Sequence, residues 1–115
     1  VDVVQPSIPT CGGLGQARQV AALARQNNLR VSPHVWGGAL GLAAAVHFAA
    51  SLPASPHTDH VPYPCLVEYD RGDNALRDDL LREPMRFENG CLVVPDGPGL
   101  GVDLDMKAVE RYRAE

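Results

Sequence analysis

Three apolar runs that read as strands, starting at Val1, Leu29 and Cys65, are separated by two stretches of helical periodicity. Their starts lie roughly 30 to 35 residues apart, the pitch of a βαβ unit. Two parallel strands cannot be joined by a tight turn, so a crossover helix must lie between them. The alternation therefore excludes hairpin-built sandwiches and helical bundles. It leaves a doubly wound parallel sheet or part of a (β/α) barrel. Residues 1–5 are short and rich in valine, and Pro6 closes them. From 14 to 26, Leu14, Ala17, Val20, Ala21 and Ala24 recur at helical spacing, with a stop at Asn27-Asn28. Residues 29–32 read as the second strand, ending at Pro33-His34. The next helix, 39–52, is apolar on nearly every side, so it must be covered on most of its surface. Pro53 ends it. A loop over 54–64 leads to a third strand at 65–67, followed by a short helix at 75–81. Residues 85–87 and 91–94 read as a hairpin around Glu88-Asn89-Gly90. A glycine-proline bend over 95–101 and a polar helix over 105–113 complete the pattern.

The strand ends decide between the two sheets. Ser7, His34 and Glu68 each stand just past the C-terminal end of an expected strand, where barrel enzymes place their reactive groups. Three polar residues there favour the barrel. With 115 residues, 45% hydrophobic and 21% charged, the chain has the profile of one small globular unit and not of a disordered tail or coiled coil. Ten basic against fourteen acidic residues give a net charge of −4, which offers no footprint for nucleic acid. The apolar stretch at 37–50 is interrupted by His47 and falls short of the roughly 20 residues of a membrane span. Cys11, Cys65 and Cys91 form no CxxC pair, which suits reduced thiols in a cytoplasmic protein. The chain opens on Val rather than Met, directly in a strand pattern, and reads as a piece of something longer.

Several motifs carry less than they suggest. Gly12-Gly13-Leu14-Gly15 follows a strand, but Arg18 stands where a dinucleotide fingerprint needs its third glycine, and no acid ends the next strand. A tight helix entry is the better reading. His57-Thr58-Asp59-His60 lacks distant partners at ligand spacing and reads as a solvated loop. His47 reads as a satisfied core histidine, and the cysteines have no activating cluster. Trp36 suits either a pocket mouth or a core. Residues 95–101 lack the Lys-Ser/Thr of a phosphate loop. An isolated His34 would more often be structural; at a strand end with Glu68 at the next, it reads as a group that exchanges a proton with substrate.

Four ordered stretches carry a resemblance: Gln5-Pro6-Ser7 with Cys11-Gly12-Gly13, then Pro33-His34-Val35-Trp36-Gly37, then Leu66-Val67-Glu68-Tyr69, and Pro95-Asp96-Gly97-Pro98-Gly99-Leu100-Gly101-Val102. Together they resemble the C-terminal third of the mandelate racemase and muconate lactonizing branch of the enolase superfamily. The resemblance implies an α/β fold, the C-terminal part of a TIM-type (β/α)7β barrel. Residues 1–95 would be its last three β/α units, strands six to eight, and 96–115 a tail returning towards a capping domain outside this chain. It implies that His34 is a general acid or base at the carbon next to a substrate carboxylate. Glu68 would lie against the carboxylate end and help stabilise the enolate, with Ser7 and Trp36 as pocket candidates. Magnesium is the implied cofactor, its ligands and a Lys-x-Lys pair lying on earlier strands, with no metal ligand in this chain. One departure stands out: the family's sixth-strand Asp, which orients the His, falls at Ser7, and serine supplies no negative charge.

On this resemblance, the chain is expected to be part of a magnesium-dependent enzyme that abstracts a proton α to a carboxylate. An acid-sugar dehydratase fits best, a racemase or epimerase comes second, and a non-catalytic barrel-fragment interaction module is the reading from another class. The expected partners are a small carboxylate substrate, the N-terminal part of the same chain and, at full length, further copies of it. No nucleic acid or membrane is expected. The 115 residues alone are expected to be inactive, with two open sheet edges.

Overall fold

The computed structural model describes residues 1–53 and 64–114. In chain order the elements are β1 (Val3–Val4), α1 (Leu14–Gln26), β2 (Arg30–Val31), α2 (Ala39–Ser51), α3 (Ala75–Asp78), β3 (Phe87–Glu88), β4 (Cys91–Leu92) and α4 (Met106–Arg111). β1 and β2 pair in parallel, with Val3 opposite Arg30 and Val4 opposite Val31. The backbone ladder runs past these short strands. Arg30 N–H donates to Asp2 O (3.1 Å), Ser32 N–H to Val4 O (3.0 Å) and His34 N–H to Pro6 O (3.1 Å). Pro6 and Pro33 have no N–H to return, so the pairing thins out at the point where the chain turns away.

α1 occupies the span its spacing predicts. Ala17, Ala21 and Ala24 form its buried face, and Asn28 leaves the helix at φ 57°. α2 buries Ala39, Leu42, Ala43, Ala45, Val46 and Phe48, the heavy burial expected of a helix without a polar face. The core sits where these helices meet the ends of the strands. Ile8, Ala17, Ala21, Val35, Leu42, Ala45, Val46 and Phe48 form one cluster, with Val31, Val67 and Tyr69 packed against it. Alanine on both helices allows a close approach, and Phe48 fills the remaining volume.

The expected third strand at 65–67 is not a strand. Pro64 has no N–H, and the segment is tied to β2 by side chains instead: Cys65 Sγ–H donates to Val31 O (3.2 Å) and Ser32 Oγ–H to Leu66 O (2.8 Å). The helix expected over 75–81 stops at Asp78 because Leu80–Arg82 pair elsewhere. Asp105 N–H donates to Leu80 O, Arg82 N–H donates to Asp103 O, and Leu81 bridges Leu104. The segment 103–105 is thus tied to 80–82, and Asp105 then caps α4 by accepting from Lys107 N–H at 2.9 Å. The hairpin forms with Phe87 opposite Leu92. Asn89 (φ 51°) and Gly90 (φ 80°) supply the two left-handed residues that a right-twisted two-residue turn requires.

The glycine-proline bend closes tightly. Gly101 has φ +67°, and a Cβ there would stand 2.7 Å from Pro95 Cβ and 2.9 Å from Gly97 N. Gly101→Ala is expected to cost about 1–3 kcal/mol from backbone strain, read as a lowered midpoint in thermal unfolding. An unchanged midpoint would show that the bend rearranges freely. No helix among the described residues is long and apolar enough to cross a membrane.

Candidate active site

The parallel register brings the ends of β1 and β2 side by side. His34 N–H is bonded to Pro6 O, so Ser7 and His34 leave the sheet as neighbours. The His34 ring meets a carboxylate from 34 residues further on: Nδ1 lies 2.6 Å from Glu68 Oε2. The same oxygen accepts Val35 N–H at 2.9 Å. Two of the four sequence candidates are therefore in direct contact. The His34 and Glu68 side chains are 42% and 37% exposed, so solvent screens their attraction and the pair adds little to stability. That exposure leaves them open to a ligand.

The segment bearing Glu68 is braced from both directions. Before it stand the ties from Cys65 and Ser32. After it, Arg77 Nη1 donates to Asp70 O (2.5 Å) and Nη2 to Gly72 O (3.0 Å). The Arg77 guanidinium also lies 5.2 Å from the centre of the Tyr69 ring, and Tyr69 makes an edge-to-face contact with Phe87 at 4.9 Å. Asp78 accepts from Arg77 Nε at 2.7 Å. That hydrogen bond holds the Asp78 carboxyl below the usual carboxylate range and raises the Arg77 guanidinium. Arg77 and Ser32 were not legible as site residues. Ser32 had one available signal, since it lies two residues before His34 and strand alternation puts both on one face. Arg77 had none.

The other candidates fall apart from this pair. Among the described residues no hydrogen bond joins the Ser7 hydroxyl to His34; Ser7 O accepts from Cys11 N–H (2.9 Å) and Thr10 N–H (3.2 Å), opening the turn into α1. Trp36, two residues after His34, is 78% exposed and closes no core here. His47 is satisfied as expected, with Nε2 3.1 Å from Leu100 O. His57, Thr58, Asp59 and His60 lie outside the described residues. Among the described residues no group of three His, Cys, Asp or Glu could hold a metal ion.

The cysteines are free. Burial pushes the Cys65 thiol up, whereas Cys91 is exposed on the hairpin. Thiolate is the reactive form, so an alkylating reagent near neutral pH is expected to label Cys91 ahead of Cys65. Peptide mapping checks the order, and Cys65 reacting first would contradict the burial.

Residues 1–108 match the family model for enolase C-terminal domain-like proteins. The chain belongs to this family. Its relatives are enzymes of the mandelate racemase and muconate lactonizing branch, as the four motifs implied. It is 38% identical to D-galactarolactone cycloisomerase of Agrobacterium fabrum over 98% of its own length and 31% identical to D-xylonate dehydratase of Haloferax volcanii over 100%. It also superposes along its whole length on the 3,6-anhydro-D-galactonate cycloisomerase of Zobellia galactanivorans, with a TM-score of 0.84 and 40% identity. The enolase-family chain spans 30% of each of these cycloisomerases and 26% of the dehydratase.

Proposed function

We propose that this chain is the C-terminal part of an enzyme that removes the proton α to the carboxylate of an acid sugar, with His34 as its proton-transfer group. The observation that carries the reading is the His34–Glu68 contact, 2.6 Å long, at the end of a parallel β-α-β unit of enolase type. In this proposal residues 1–95 are the last three β/α units of a barrel and 96–115 lead away from it. The segment 65–67 takes the eighth-strand position without a ladder of its own.

The elimination needs two proton movements, and ketonisation of its enol product then moves a third from the enol oxygen to the β carbon. Breaking the α C–H bond leaves its electron pair in an enolate. Collapse of the enolate breaks a β C–O bond, the departing oxygen takes that electron pair, and it must gain a proton. The resulting enol then becomes an α-keto acid. His34 suits either proton movement, because imidazole receives a proton and imidazolium delivers one near neutral pH. If the β oxygen is a free hydroxyl, water leaves and the reaction is a dehydration. If it belongs to a ring, the ring opens and nothing is lost, which is a cycloisomerisation. The cycloisomerase relatives at 38% and 40% identity favour this second reading as much as the dehydratases favour the first.

Magnesium belongs to the proposal through the family resemblance alone. The described residues offer no set that would hold it.

The test supplies the intact protein with magnesium and a panel of aldonic and aldaric acids and their lactones, and follows α-keto acid formation. Product from at least one member is the expected result. An inverted α stereocentre without keto acid would replace elimination with racemisation. Absence of both would favour a non-catalytic module.

A further inference from the structure

We propose that Glu68 is the positioning residue of His34, setting which ring nitrogen faces the substrate. This rests on the proton-transfer role given to His34 above. A neutral imidazole carries its proton on either nitrogen, and the hydrogen bond made by one nitrogen fixes the other. An ionised carboxylate has no proton to give. Nδ1 at 2.6 Å from Glu68 Oε2 must therefore be the donor, which leaves Nε2 of the neutral ring with a free lone pair.

The carboxylate is not held by the ring alone. Val35 N–H donates to the same oxygen at 2.9 Å, and the Val35 side chain is buried in the core. The oxygen is thus referenced to the backbone that carries the imidazole. The chain on either side of Glu68 is fixed as well, by Ser32 on Leu66 O and by Arg77 on Asp70 O and Gly72 O. No such arrangement surrounds Ser7, which lacks charge and whose hydroxyl makes no hydrogen bond to the ring among the described residues. The geometry gives the orienting task to the residue after β2's neighbouring segment, not to the one after β1.

The test uses the intact protein with Glu68→Ala and Glu68→Gln. Nitrogen-15 NMR of the His34 ring, without substrate, reads the tautomer independently of turnover. The proton is expected on Nδ1 in the parent and is expected to move largely to Nε2 in Glu68→Ala. Glu68→Gln is nearly isosteric, keeps an acceptor oxygen for Val35 N–H and Nδ1–H, and removes only the charge, so it separates catalysis from folding. Both variants are expected to lose kcat, by about 100-fold for alanine and at least about tenfold for glutamine. The loss of kcat is the readout of positioning, because the resemblance also places Glu68 against the substrate carboxylate and a change in KM would report that contact. A parent ring protonated on Nε2, or the same tautomer in Glu68→Ala, would overturn the proposal. So would a loss confined to KM, which would place Glu68 on the substrate. If His34→Asn left turnover unchanged, the proton-transfer role would fall while the tautomer result stood, so the two failures are distinguishable.

Discussion

Replacing Phe48 with alanine is expected to lower stability by about 3–5 kcal/mol. Phe48 is 1% exposed and lies in the cluster that joins the turn after β1, both long helices and the residue after His34. Large-to-small changes lose the transfer free energy of the removed atoms and add the cost of the cavity left behind. That cavity term should be near its full size here. The cluster it belongs to includes Ala17, Ala21 and Ala45, which have no side-chain length with which to move in and fill the space. Against a typical total of about 5–15 kcal/mol, such a loss removes a large share of the folded population. Denaturant unfolding of the intact protein measures it. Leu23→Ala, on an exposed site of α1, serves as the control and is expected to stay within about 0.5 kcal/mol. A Phe48→Ala loss below about 1 kcal/mol would mean that the packing around α2 is not as described.

His34→Asn is expected to lower kcat by about 10²–10⁴-fold, the usual contribution of a general acid or base. Asparagine can still hydrogen-bond to Glu68, but it cannot take and release a proton near neutral pH. The pair is half exposed, so its loss should move stability very little. That separates this variant from Phe48→Ala, which acts through folding. Turnover and unfolding measured on the same preparation check both statements. If kcat fell only in proportion to folded protein, His34 would be a structural residue.

The fold was legible wherever local spacing decided it. α1 could be bounded because Ala17, Ala21 and Ala24 mark one helical face and Asn27-Asn28 can leave it. The heavy burial of α2 followed from its lack of a polar side. Misreadings arose where partners distant in sequence decided the outcome. Residues 65–67 carry the apolar run that suggests a strand, but an apolar run does not supply a backbone partner. The helix at Ala75 is short because segment 103–105 claims the backbone of Leu80 and Arg82. The site divides in the same way. Strand-end logic singled out His34 and Glu68 as candidates, while their mutual contact and the Arg77 brace depend on segments that only the folded chain brings together. Trp36 could not be assigned from sequence because the same residue suits a core or a rim, and its exposure removes the core reading for this chain.

The most direct test of the proton-transfer account follows the fate of the α hydrogen. The intact protein is given an acid-sugar substrate carrying deuterium at the carbon next to its carboxylate. Product that has lost this deuterium to solvent, formed more slowly than from unlabelled substrate and at least about 100-fold more slowly by His34→Asn, is the predicted result. Keto acid formed equally fast from labelled and unlabelled substrate, and equally fast by His34→Asn, would show that His34 does not open the α C–H bond, and the account would fail.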